Sequence, residues 1–250
     1  MSRSTATART TLVAAFVLMI AGAGAATGPA TPGRLHGPTA CVAGNPLRPT
    51  ADLFATDNTA TITDPADPRL SDQLTLFELT VNATAVSELA LPVGSELLDG
   101  VFWSSDSNAT TYERSREFHL ACTDTNNLFA VADDIRVRYH QESVLSFEFL
   151  PAGDPRANAV TVSARGIDRT RFHDALASDP LVRDHLGGGS ITRDGTLILV
   201  VDRADLPLTQ SLIERLGGDW DPAGFRYGDR EFVGSTNGAV FNPALNRASR

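Results

Sequence analysis

One order of extended and helical patterns occurs twice in this chain, on either side of the breaker Pro151-Ala152-Gly153-Asp154-Pro155. After the breaker, residues 159–164 read as a strand. Residues 169–186 read as helical, with Phe172, Leu176, Val182 and Leu186 on one face and an interruption at Asp179-Pro180. Gly187, Gly188 and Gly189 stop that helix. Residues 190–192 and 196–201 flank Arg193-Asp194-Gly195, and Asp-Gly is a favoured hairpin turn. The second of these runs is apolar on both faces, as in a covered central strand. Asp205 and Pro207 open a last helix carrying Leu208, Leu212, Ile213 and Leu216, and residues 225–233 form a final strand. Before the breaker, Asp67 and Pro68 suit the cap and first position of a helix. Leu70, Leu74, Phe77, Val81 and Ala85 follow at helical spacing. Residues 97–104 and 111–122 then make a hairpin. A second helix starts near Asn126 or Asn127, with Leu128, Ala132, Ile135 and Tyr139 on one face, although Ile135, Val137 and Tyr139 also alternate as in a strand. Residues 144–150 are extended, and a short strand within residues 53–62 completes the order.

Both halves therefore read β-α-β-β-α-β. The expected fold is α+β: two tandem ferredoxin-like units with antiparallel sheets, following an N-terminal signal peptide. The units would cover residues 51–153 and 154–233. Residues 1–25 would be the signal peptide, 26–50 an irregular arm rich in Ala, Gly, Pro and Thr, and 234–250 a flexible tail. The halves share no residue-level identity, so the repeat is one of architecture.

The leader follows from Arg3 and Arg9, the apolar run from Leu12 to Ile20, and the small residues Ala21-Gly22-Ala23-Gly24-Ala25. The run is too short to span a bilayer, which takes roughly 20 apolar residues. The chain is expected to be exported, cleaved near Ala25 and secreted.

Lysine is absent, and all 21 basic residues are arginine. Schiff-base, pyridoxal-phosphate and P-loop chemistries all need a lysine and are excluded. The net charge is −9. Nucleic acid is a poor partner for an acidic chain, and no polybasic segment is present to hold an anionic membrane after cleavage. The remaining partner class is a small molecule or a protein. Two cysteines, Cys41 and Cys122, suit one disulfide in an oxidising compartment. They cannot alone build a structural zinc site, and no histidine pair stands beside either. No metal set and no cofactor are expected from the linear pattern.

The candidate polar site lies on residues 111–122. Glu117 and His119 are two apart on a strand and share a face, while Phe118 and Leu120 face a core. A carboxylate beside an imidazole suits acid–base work. Arg116 is the third candidate, although it falls on the opposite face with Arg114. No Gly-x-Ser-x-Gly elbow is present. Asp106-x-Asn108, Asp124-x-Asn126 and Asp219-x-Asp221 lack the Gly and Glu positions of a calcium loop and suit turns instead. With no further catalytic constellation, the chain reads as a secreted, non-catalytic binding or interaction module. The alternative is a secreted enzyme of isomerase or oxygenase type, with Glu117, His119 and Arg116 lining a pocket between two sheets.

Overall fold

Eight strands and five helices alternate along residues 48–58 and 60–234, which the computed structural model describes. The first half contains β1 (Ala51–Ala55), α1 (Thr75–Ser87), β2 (Leu91–Ser104), β3 (Ala109–Ala121), α2 (Thr125–Arg138) and β4 (Ser143–Phe149). The second contains β5 (Ala159–Arg165), α3 (Arg169–Ser178), α4 (Pro180–Leu186), β6 (Gly188–Thr192), β7 (Thr196–Asp202), α5 (Leu206–Arg215) and β8 (Arg226–Gly234).

The strands close into one antiparallel barrel in the order β1-β3-β2-β6-β7-β5-β8-β4, with β4 returning to β1. The expected pair of ferredoxin-like units with open sheets is therefore corrected. Two open sheets would leave four strand edges with unpaired N–H and C=O groups. Here β2 pairs with β6 from Leu98↔Thr192 to Phe102↔Gly188, and β4 pairs with β8 from Ser143↔Gly234 to Phe149↔Gly228. Both seams consume those edges. Periodicity marks a segment as extended, but it carries no information on which edges meet across about 90 residues of chain.

Alternation along each strand splits its side chains between the outer face and the interior. Outward residues carry the apolar burial, in two clusters. Leu53, Phe118 and Leu120 lie under Phe77 and Val81 of α1 and Val131 and Ile135 of α2. Val160, Val162, Leu197 and Leu199 lie under Phe172 and Leu176 of α3 and Leu212 and Ile213 of α5. The run Leu197–Val201 is apolar on both faces because Ile198 and Val200 take the opposite, inward parity. Aromatic rings fill part of the interior where strands carry glycine. A Cβ on Gly188 would stand 2.4 Å from the Phe102 ring, and one on Gly228 would stand 2.4 Å from the Phe147 ring and 2.2 Å from the Glu148 carbonyl.

Several element boundaries differ from the sequence pattern. Asp67-Pro68 opens a four-residue 3-10 turn, Pro68–Ser71, and not the long helix. The chain extends again at Asp72, passes through Leu74 at φ 52°, and starts α1 at Thr75. The break lets Leu70 join the cluster of the second half while Leu74 joins that of the first. The ambiguous segment after Asn126 is the helix α2, capped by the Asp124 carboxylate, which accepts from the Asn127 amide. The interruption at Asp179-Pro180 separates α3 from α4, and Gly187 ends α4 at φ 70°.

The expected leader, residues 26–47 of the arm and residues 235–250 of the tail lie outside the described residues, while Gly234, placed in the tail by the sequence pattern, ends β8 opposite Ser143. Cys41, the expected disulfide partner of Cys122, also lies outside the described residues. Cys122 is 9% exposed and follows β3 at φ 54°.

Candidate functional site

One mouth of the barrel is polar. Inward residues of β2, β3, β5, β6, β7 and β8 converge there, and the cavity between them measures about 190 Å³. Its walls include Glu96, Glu117, His119, Thr161, Ser163 and Thr192, together with Asp194 on the β6–β7 turn, Thr196, Ile198 and Arg226.

The sheet register sets the centre of this site. Asp52 on β1 stands directly opposite His119 on β3, and Glu117 follows two residues along on the same face. Glu96 of β2 stands opposite Glu117. Asp52 is fully buried and Glu117 is 4% exposed. His119 Nδ1 lies 2.7 Å from Asp52 Oδ1 and 4.0 Å from Glu117 Oε1. Arg226 reaches the other oxygen of Asp52, with Nη1 to Oδ2 at 3.4 Å, while its guanidinium covers the Phe149 ring at 4.8 Å.

Burial pushes the Glu117 carboxyl far above the usual carboxylate range. The Asp52 charge, and a hydrogen bond in which protonated Glu117 donates to Asp52, raise it further. Glu96 is also raised, first by burial and then by Asp194. Asp194 is lowered, because the Thr192 hydroxyl donates to its carboxylate. Deeper in the interior, burial lifts Glu113 to about 7, against a hydrogen bond from Ser115 that lowers it. Two acids side by side resist sharing negative charge in a site from which water is largely withdrawn.

One polar atom in the wall is left over. The Thr161 hydroxyl is buried and has no hydrogen-bond partner. Thr161 is 6% exposed, lines the cavity, and stands opposite Arg226 across β5 and β8. Buried hydroxyls are normally satisfied, so an orphan at a cavity wall is a place where a bound molecule supplies the missing partner.

The structure brings together two of the three residues singled out in the sequence. Glu117 and His119 share the interior. Arg116 faces outward, where it pairs with Glu78 of α1 at 2.8 Å and donates to the Gln73 carbonyl and the Ser95 hydroxyl. Its neighbour Arg114 pairs with Asp99 and donates to the Asp72 carbonyl. Both arginines hold the strand-to-helix break, and neither reaches the cavity. The Asp-x-Asn segments serve turns and caps: Asp124 caps α2, and Asp221 caps a short 3-10 turn at Pro222–Gly224.

Sequence reasoning missed Asp52, Glu96, Thr161, Asp194 and Arg226. Asp52 left a signal, a lone acid between Ala51 and Leu53 in an otherwise apolar short strand. An acid with that parity is either solvated or paired inside.

Two chemistries suit the centre. A histidine whose Nδ1 is held by a buried carboxylate is oriented to take a proton on its other nitrogen. The same oxygen and nitrogen donors can also gather around a cation. Compared with known proteins, the chain matches no family model, no curated protein and no solved structure.

Proposed function

We propose that this protein is an exported binding protein whose barrel mouth takes up a small, positively charged ligand. The charge balance of the cavity carries this reading. Three acids, Glu96, Glu117 and Asp194, line it, the buried Asp52 is bound to its wall through His119 and Arg226, and the lining holds one guanidinium, that of Arg226. A cation entering the mouth offsets the negative charge of these acids, whereas an anion adds to it. The threonine and serine hydroxyls of the wall supply oriented acceptors, and the orphan Thr161 hydroxyl gains a partner. Export is inferred from the leader pattern at residues 1–25. Ligand capture needs no turnover, which agrees with the lack of a wider catalytic constellation in the sequence.

The test is calorimetric titration of the full chain with a panel of probes: putrescine, calcium, manganese and zinc as cations, acetate and phosphate as anions. At least one cation should bind with unit stoichiometry, and the anions should not. The double variant E96Q/D194N, which removes two mouth charges, should bind that cation at least tenfold more weakly. Preference for the anions, or cation binding indifferent to the double variant, would overturn the reading.

A further inference from the structure

We infer that the cation is a divalent transition-metal ion held by Asp52, Glu117 and His119, an inference that rests on the cation-binding reading above. Among the described residues, these three offer ligand atoms that all lie within 4.8 Å of one another. An ion with metal–ligand distances of 2.0–2.1 Å in octahedral geometry holds neighbouring ligands about 3 Å apart. The separations of 2.7 and 4.0 Å from His119 Nδ1 to the two carboxylates bracket that spacing.

Backbone geometry makes the arrangement specific. All three side chains stand on the paired strands β1 and β3, not on loops, so closing around an ion needs side-chain adjustment without movement of the sheet. Arg226 occupies only the second oxygen of Asp52, in the way that outer hydrogen bonds orient a ligating carboxylate. The donor set is one imidazole and two carboxylates. Imidazole favours the later first-row metals, and carboxylate favours manganese and its hard neighbours. The mixture suits manganese, iron, cobalt or zinc over calcium or magnesium.

A second observation independently points to a ligand at this place. Thr161 is more than nine-tenths buried, lines the same cavity, and has no partner for its hydroxyl. With three protein ligands, an octahedral ion keeps three positions for water or solute.

Cobalt(II) is the probe, because its visible absorption reports nitrogen and oxygen coordination directly. The full chain should bind one cobalt ion, with a visible band that chelator abolishes. D52N, E117Q and H119A should each weaken cobalt binding at least about 100-fold, since each removes a ligand. Circular dichroism of each variant identifies those that fold, and E117Q is close in shape to the native residue. If cobalt, manganese and zinc bind the folded variants as they bind the wild type, while putrescine still binds and E96Q/D194N weakens it, the metal assignment fails and the cation-binding reading stands. If no cation binds at all, both fail.

Discussion

Thr161 concentrates the conflict between stability and binding into one atom. Its hydroxyl is buried without a partner at the cavity wall, an arrangement that costs about 1–3 kcal/mol when no ligand is present. Valine has nearly the same shape and lacks the oxygen. We expect Thr161→Val to stabilise the ligand-free protein by about 1 kcal/mol, a rise in Tm of roughly 2–4 °C for a domain of this size. The same variant should bind the cation more weakly. Thermal unfolding with and without manganese checks both at once, and a variant with lower stability and unchanged binding contradicts the assignment. At this scale the sequence was partly legible. Glu117 and His119 stand out because an alternating strand places them together against Phe118 and Leu120. Asp52 and Arg226 did not stand out, because their pairing joins residues 174 positions apart, and no local pattern records that.

At the scale of elements, the break before α1 shows why a correct periodicity can give a wrong boundary. Leu70, Leu74 and Phe77 do follow helical spacing, but the carbonyls of Asp72 and Gln73 are taken by Arg114 and Arg116 from β3. Those carbonyls would otherwise accept bonds within a continuous helix. A tertiary contact thus overrides a local preference. The same competition acts at α5. Asp205 was expected to cap that helix, yet it makes no side-chain cap bond there, and its carboxylate lies 2.7 Å from His185 Nδ1. For Arg116 the consequence is testable. Replacing it with alanine removes the arginine from Glu78, which keeps the Ser95 hydroxyl, and leaves the Gln73 carbonyl without that donor, at a cost of about 1–3 kcal/mol. We expect Arg116→Ala to lower the denaturation midpoint and to leave cation affinity unchanged. A loss of affinity without loss of stability would instead place Arg116 in the site.

At the scale of the whole molecule, closure is what creates a site. Seven of the eight strands contribute residues to the polar mouth or to Asp52 beneath it, and they come from both halves of the chain. The order of elements could be read from patterning, turn residues and caps, since these are local. The ring could not, because it depends on the β2–β6 and β4–β8 seams and on glycines that make room for Phe102 and Phe147 inside. Glycine in a strand marks a close approach without naming what approaches. Once the ring is closed, inward alternation gathers acids that are scattered in sequence, and the positive guest proposed above would offset their charge. Diffraction from crystals of the full chain soaked in manganese and recorded at a wavelength with strong anomalous signal tests this most directly. We predict one strong anomalous peak inside the barrel, within about 2.0–2.3 Å of Asp52 Oδ1, Glu117 Oε1 and His119 Nδ1. Manganese bound only on the outer surface, with those three side chains unchanged, would contradict it.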